Sequence, residues 1–485
     1  MEEQYEATIG LEIHAELKTH TKMFCDSKND PDETRPNVNI CPICLAHPGT
    51  LPVINKEAVR QVLRVGIALG SKLADYTEFD RENYFYPDLP KGYQISQFEF
   101  PLVSGGELKG VSITRVHLEE DTASSIHDEV SGATLVDYNR SGVPLMELVT
   151  EPVIKSPEQA GDFARELQLL LRALGASEAN MEKGQMRVEA NVSVARKGER
   201  SAAYVEIKNL NSFRSMERAV AYEIKRQQGM LERGETLVKQ TLGWDESKQA
   251  TFPQRTKEGS ADYRYFPDPD LPSLKLSEVP EYSRESLEKG MPELPGERRS
   301  RYIKLGIKPD DADMYVREEK LGGFFEEITS SSTDPKFILL ASNYIANDLM
   351  KIIRDSDTRD TQSQERKDIS IPISASNFRS IIGMLAENKI SSRAAKDLLI
   401  IAVSDPRSPV EIANEKGLLQ SISTTDFEAA IKTIIEGNSS VVADYKAGKA
   451  AALEYLVGQG MKALRGAADP ATLRTMLTAR IDAVS

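Results

Sequence analysis

The sequence predicts an α+β region followed by an all-α region. Three observations predict this: apolar and polar residues alternate at period two in several segments before residue 292, two capped amphipathic helices lie among them, and helical spacing takes over from residue 293. With 485 residues, 40% of them hydrophobic and 28% charged, the chain is an ordinary globular one, long enough for two or three separate cores. The domains read from it are 1–292, 293–407 and 408–485.

The first strand places Ile9, Leu11, Ile13, Ala15 and Leu17 on one face and Gly10, Glu12, His14 and Glu16 on the other. Asn55 is a good N-cap for a helix carrying Val59, Val62, Leu63 and Ile67 at helical spacing. Val111 to Leu118 reads as a strand ending in His117, Glu119, Glu120 and Asp121, where parity alone does not decide which carboxylate points inward. A second helix has Ser156 as N-cap, Pro157 at its first position, Gln159 completing a capping box, and a stripe of Phe163, Leu167, Leu170, Leu171 and Leu174 before Gly175. In Met186 to Val194 the even positions are apolar, and Arg187, Glu189, Asn191 and Ser193 share the other face. The polar run Arg196 to Ser201 then predicts an antiparallel hairpin with Tyr204 to Leu210, which brings Glu206 and Lys208 to that face. In the helical region, Glu297 to Arg301 and Asp355 to Asp368 read as linkers, and the Ala-rich C-terminal segment is mildly basic.

Composition excludes several classes. No apolar run approaches 18 residues and no leader precedes the first strand, so the expected location is cytoplasmic, with no membrane partner. Three cysteines argue against a disulfide framework. A net charge of -14 leaves RNA contact to local patches, the C-terminal segment being the candidate.

The chemistry-bearing residues are Glu12, His14, Glu119, Glu120, Glu147, Glu189 and Glu206. Like charges on one face repel, so such a set calls for cations or solvent, and Mg²⁺ prefers oxygen ligands that it shares with nucleotide phosphates. No G-x-x-x-x-G-K-[ST] loop, no G-x-G-x-x-G after a strand and no serine nucleophile elbow occurs, so nucleotide binding falls to metal and sheet residues and glutamine hydrolysis to another chain. Cys41-Pro-Ile-Cys44 with Cys25 has part of a zinc ligand set. A fourth ligand could come from Asp26, Asp30 or His47, and plain burial of three small side chains accounts for the cysteines equally well.

Taken together, Ile9 to His14, Pro48 to Asn55, Asn83 to Asp88, Gly92 to Gln97, Thr114 to Asp121, Asp137 to Gly142, Pro144 to Pro152, Glu206 to Ser212 and Asp262 to Asp270 resemble the B subunits of the tRNA-dependent amidotransferases, the GatB family. The resemblance covers nearly the whole chain. It implies a large antiparallel-sheet cradle domain related to glutamine synthetase, a helical domain, and a small YqeY-like helical tail that contacts tRNA. It implies a ligase that uses ATP to convert Glu-tRNA(Gln) or Asp-tRNA(Asn) to the amide through a phosphorylated side chain. Ammonia comes from glutamine through an amidase subunit, GatA, in a complex that also contains GatC. By motif, Mg²⁺ belongs to Glu12, His14 and Glu120, with Glu119 in reserve. Glu206 and Lys208 take catalytic roles, and Arg187, Glu189, Asn191, Asn139 and Glu147 bind nucleotide and acyl phosphate. Glu151, Asp262 and Arg264 lie in matching motifs as well.

Two departures stand out. Zinc-containing members resemble Cys-x-Cys followed by Cys-x-x-Cys, whereas here the first pair reads Cys25-Asp-Ser27. Gly460 stands where a larger apolar residue is usual. The alternative reading is a non-catalytic tRNA-binding scaffold, with a solvated acidic sheet face and a working tail.

Overall fold

A computed structural model of the chain describes residues 5–128, 131–199, 201, 203–255, 263–357, 369–419, 424–464 and 470–483. It divides into two units, Met1–Pro295 and Gly296–Ser485. In the first unit the strands that matter are β1 (Tyr5–Glu16), β2 (Asp80–Asn83), β3 (Tyr93–Ser96), β4 (Val111–Glu120), β5 (Pro144–Thr150), β6 (Met186–Arg196), β7 (Val205–Leu210), β8 (Gln240–Asp245) and β9 (Ala250–Arg255). The large sheet runs β9-β8-β7-β6-β1-β5-β4, and short strands Val103–Ser104 and Lys72–Leu73 extend the β4 side. β2 and β3 pair in a smaller sheet with Phe266–Pro267.

The expected hairpin forms, with β6 and β7 antiparallel. The sheet is mixed, however, not wholly antiparallel: β7 and β8 are parallel. A parallel neighbour needs a crossover, and the helix α3 (Phe213–Glu232) between the two strands supplies it. Together with α1 (Lys56–Ala68) and α2 (Pro157–Ala173), α3 packs on the apolar face of the sheet, where Ile9, Leu11 and Ile13 share a core with Val62, Phe163 and Met216. Each buried side chain of this kind contributes about 1.5–3 kcal/mol, so the apolar parity of the strands fixes which face remains for polar residues.

Both helix starts follow the sequence. The Asn55 side chain accepts from the N–H groups of Glu57 and Ala58, and Ser156 accepts from Gln159 N at 3.1 Å. Gln159 reaches one residue further out than a capping box requires, accepting from Lys155 N at 2.9 Å.

Among its described residues the second unit has helices joined by loops and no strand. Glu297 to Arg301, read as a linker, lies inside the helix Pro295–Lys304, which buries Tyr302 and pairs Arg299 with Asp313 at 2.9 Å. Of the other expected linker, Asp355 to Asp357 end the helix Met350–Asp357, and 358–368 lie outside the described residues. The short helix Pro409–Glu415 packs against Ala375–Ala386 and Ser392–Ser404. The last four helices have a core of their own, built on Ile431, Ile434, Leu456, Val457, Leu473, Leu477 and Ile481. Among the described residues no helix is long and apolar enough to cross a membrane.

Gly460 has a packing reason in this core. A Cβ at 460 would lie 2.4 Å from Leu473 Cδ2, and Leu473 is fully buried. Leu473 fills the volume that a larger residue at 460 would take. Gly460→Ala is therefore expected to destabilise the tail despite the gain of about 1 kcal/mol in helix propensity, because overpacking costs about 1–3 kcal/mol. Gly458→Ala, exposed and with open space around it, is expected to stabilise the same helix. Amide hydrogen exchange over 450–463 and 470–483 checks both signs, and equal protection in the two variants would refute the packing account.

Candidate functional site

Strand register assembles the polar face. His14 of β1 stands opposite Arg187 of β6 on one side and Glu147 of β5 on the other. Glu147 in turn stands opposite His117 of β4. Directly paired residues project to the same face, so these four form a row. The next row places Glu12 beside Glu189, and Asn191 pairs with Glu206 on β7.

Glu147 is the centre of the cluster. Its Oε2 lies 3.3 Å from His14 Nε2 and 3.3 Å from His117 Nε2, and Arg115 approaches Oε1 at 3.6 Å. Glu119 lies 3.7 Å from His14 and 3.6 Å from His117, and accepts a hydrogen bond from Ser96 Oγ of β3 at 2.9 Å. Glu12 Oε1 is 4.0 Å from His14 Nε2.

Glu120 is not in this cluster. As the next residue along β4 it projects to the opposite side, where its carboxylate pairs with Lys91 Nζ at 2.6 Å and accepts from Ile95 N at 3.0 Å. Strand alternation separates the two neighbours, and the pairing of Glu119 with Leu145 fixes the parity. The grouping of Glu12 and His14 with Glu120 is thus replaced by a grouping with Glu119.

Beside the cluster, Lys208 Nζ lies 2.7 Å from Glu189 Oε2 and 3.8 Å from Glu206 Oε1, and Thr241 Oγ1 donates to Glu206 at 2.7 Å. Arg187 donates to both oxygens of the buried Asp121 at 2.8 Å. Asn139 lies elsewhere: its Oδ1 accepts from Val38 N and Asn39 N at 2.8 Å and its Nδ2 donates to Arg35 O, which ties a loop. Glu151 bridges to Thr114 at an exposed position, and the Arg264 carbonyl accepts from Asn83 Nδ2. Asp262 lies outside the described residues.

Sequence reading named His117 and Asp121 where β4 ends without assigning them to the site, and it missed Arg115 and Glu82. His117 had a signal, since it is two residues before Glu119 and so shares its face. Glu82 had none, because β2 belongs to another sheet.

Charge follows geometry. Burial alone would lower His14, but the Glu147 hydrogen bond and the surrounding carboxylates raise it to about 10. His117 is likewise raised to about 9 against burial, by the charge of Glu147 and hydrogen bonds to Glu119 and Glu147. The imidazoles hold Glu147 well below the usual carboxylate range in spite of its burial. Burial and the charge of Glu147 push Glu12 up to about 7, and burial and Glu119 do the same to Glu82.

These residues fit a divalent cation. Glu12, His14 and Glu147 form one triad with ligand atoms within 4.8 Å of one another, and His117, Glu119 and Glu147 form a second that shares Glu147. Among the described residues the buried His117 Nδ1 and Asn191 Oδ1 have no hydrogen-bond partner. The cysteine site fits zinc less well. Cys25, Cys41 and Cys44 cluster, but among the described residues no fourth ligand atom joins the three sulfurs: Cys44 Sγ has the Ser27 hydroxyl and the buried Lys22 ammonium at 3.8 Å, and His47 lines a cavity with Cys25 and Cys44 without entering the cluster. Asp30 is engaged by Lys28 at 2.6 Å.

Imidazoliums cannot ligate, so cation binding through His14 or His117 must release protons. Their pKa values are raised above the ordinary 6.5, so in the metal-free protein their stabilisation is complete below about pH 6.5 and is lost as the pH rises through about 9 to 10. Mg²⁺ affinity is expected to rise from pH 7 to 9, with proton release in calorimetric titrations run in two buffers of different ionisation enthalpy. Identical heats in both buffers would refute this.

A family profile described as the GatB/GatE catalytic domain matches residues 7–280, and one described as the GatB domain matches residues 323–481. The chain is 42% identical to a protein of Thermomicrobium roseum, 41% to one of Thermus thermophilus and 39% to one of Carboxydothermus hydrogenoformans. Each is named as the B subunit of an aspartyl/glutamyl-tRNA(Asn/Gln) amidotransferase, and each alignment covers 98% of both chains. One profile over the sheet-bearing unit, a second within the helical unit, and relatives aligned from end to end carry one conclusion: the chain belongs to the GatB/GatE family.

Proposed function

We propose that the chain is the B subunit of an aspartyl/glutamyl-tRNA(Asn/Gln) amidotransferase, and that it forms the amide of Glu-tRNA(Gln), Asp-tRNA(Asn) or both. The observation that carries this reading is the carboxylate–imidazole cluster around Glu147, next to the cationic Lys208 and Arg187 on one sheet face. A carboxylate is a poor electrophile. In this reading the side-chain carboxylate of the misacylated amino acid attacks the γ-phosphorus of ATP, ADP leaves, and ammonia then displaces phosphate from the acyl carbon.

Glu12, His14, Glu119 and Glu147 would hold Mg²⁺, which when bound supplies positive charge against the nucleotide phosphates. Lys208 and Arg187 offset the charge on the transferred phosphoryl group. Arg187 suits this role because Asp121 pins one end of its guanidinium, while 39% of its side chain remains open to solvent. Glu189 and Glu206 orient Lys208, and Asn191 offers its unpartnered Oδ1. Ammonia would come from glutamine through the amidase GatA, in a complex with GatC, which makes the assembly a ligase with glutamine as amide donor. The helical tail of the second unit would dock the tRNA. A cytoplasmic location accords with this work in translation.

The placement of Glu119 gives a discriminating test. In the reconstituted complex, Glu119→Gln and Glu147→Gln are expected to lower tRNA-dependent ATP cleavage and amide formation about 100-fold or more, with glutaminase activity retained. Glu120→Gln is expected to cost less than about tenfold, through lost support from Lys91. A ranking with Glu120 worse than Glu119 would overturn the assignment, and a complex that forms amide without cleaving ATP would overturn the function.

A further inference from the structure

Lys22 is fully buried, and among the described residues no carboxylate pairs with it. A buried ammonium is costly unless paired. Its Nζ donates to the Tyr138 carbonyl at 3.0 Å and to Cys44 Sγ at 3.8 Å. Cys44 Sγ also accepts from Cys41 N–H at 3.1 Å and lies 3.8 Å from the Ser27 hydroxyl. The backbone amide and the ammonium donate to this sulfur, the Ser27 hydroxyl is placed to do so, and the Cys41 carbonyl oxygen stands at 3.4 Å, so the donors outweigh the one acceptor and favour a thiolate. The Cys41 sulfur, less buried than Cys44, is 3.8 Å from it. The pair belongs to a Cys-x-x-Cys turn, a spacing that allows closure into a disulfide with a local shift.

Access is provided. Cys25 and Cys44 line a cavity of about 230 Å³, which Lys91 and Glu120 also line. It is wide enough for a small oxidant.

We infer that Cys41 and Cys44 form a peroxide-reactive thiol pair, with Cys44 as the attacking thiolate, Lys22 as its fixed counter-ion and Cys41 as the resolving thiol. This does not depend on the function proposed above. Cys44 attacks one oxygen of hydrogen peroxide, the O–O bond breaks, and Cys44 sulfenic acid and hydroxide form. The Cys41 thiol then attacks the Cys44 sulfur, and the S–O bond breaks as a disulfide forms and one water leaves. Two electrons pass from the two sulfurs to peroxide, and an external thiol returns them by exchange. The lowered pKa of Cys44, brought down by its Cys25 hydrogen bond and the Lys22 charge against burial, agrees with this assignment.

The site also gives Ser27, the last residue of Cys25-Asp-Ser27, a place as the hydroxyl beside Cys44 Sγ. With three sulfurs and an ammonium, one thiolate balances Lys22 without metal.

Reduced, full-length protein treated with hydrogen peroxide, alkylated with iodoacetamide and digested is expected to yield a peptide with Cys41 and Cys44 joined. Cys44→Ser should abolish the bridge, and Cys41→Ser should leave a sulfenic acid on Cys44 that dimedone traps. Without oxidant, Cys44 should alkylate about tenfold faster than Cys41 at pH 7, and Lys22→Gln should reverse that ranking while Lys22→Arg keeps it. If Lys22→Gln does not fold, the wild-type ranking and the bridge decide alone. Stoichiometric zinc in purified protein with the thiols protected until chelation, a Cys25–Cys44 bridge, or equal rates at the two thiols would each overturn the inference.

Discussion

The contact between the Glu147 carboxylate and two imidazoles governs what this sheet can carry. Glu12, Glu119, Glu147, Glu189 and Glu206 all occur on one face. Two bare carboxylates about 4 Å apart would repel by about 4 kcal/mol at an effective dielectric of about 20, so the face stands only with cations interleaved. The cations are of two kinds. His14 and His117 can give up their protons and become ligands, whereas Lys208 and Arg187 keep their charge over the whole physiological range. The β1–β5–β4 half of the face therefore carries protons that it can give up, whereas the β6–β7 half carries fixed ammonium and guanidinium charges among its carboxylates. In the proposed reading, phosphoryl chemistry on a carboxylate would draw on both halves.

The scaffold serves this division. Three helices bury the apolar parity of the strands and leave the other parity free, so polar residues need not compete with the core. The small sheet closes one side: Ser96 of β3 holds Glu119, and Glu82 of β2 adds a further carboxyl group near the cluster. Second-tier contacts of this kind fix the orientation of ligands and tune their basicity.

Much of this was legible in the sequence. Period-two alternation marked β1, β6 and β7 with their working faces, and the caps at Asn55 and Ser156 marked two helices. What escaped was decided by distant pairing. Glu119 and Glu120 are chemically identical neighbours, and only the register of β4 against β5 separates them. The parallel pair β7–β8 follows from a crossover helix, and Asn139 ties a loop a hundred residues away in sequence. Lys22 looks like any surface lysine until the fold closes over it.

The two ends of Glu119-Glu120 join regions that the sequence presents as unrelated. Glu119 enters the carboxylate–imidazole cluster, while Glu120 enters the cavity that Cys25 and Cys44 line. Between them the β4 backbone is held by its pairing with β5, and Gly142 lies at the same place: a Cβ there would stand 3.7 Å from Lys22, 3.8 Å from Cys44 and 3.9 Å from Glu120. A paired strand moves as a unit more readily than it bends, since bending breaks ladder hydrogen bonds. Glu120 is already paired with Lys91 at 2.6 Å, so the cavity side of β4 ends in an ion pair one residue from the carboxylate that faces His14 and His117.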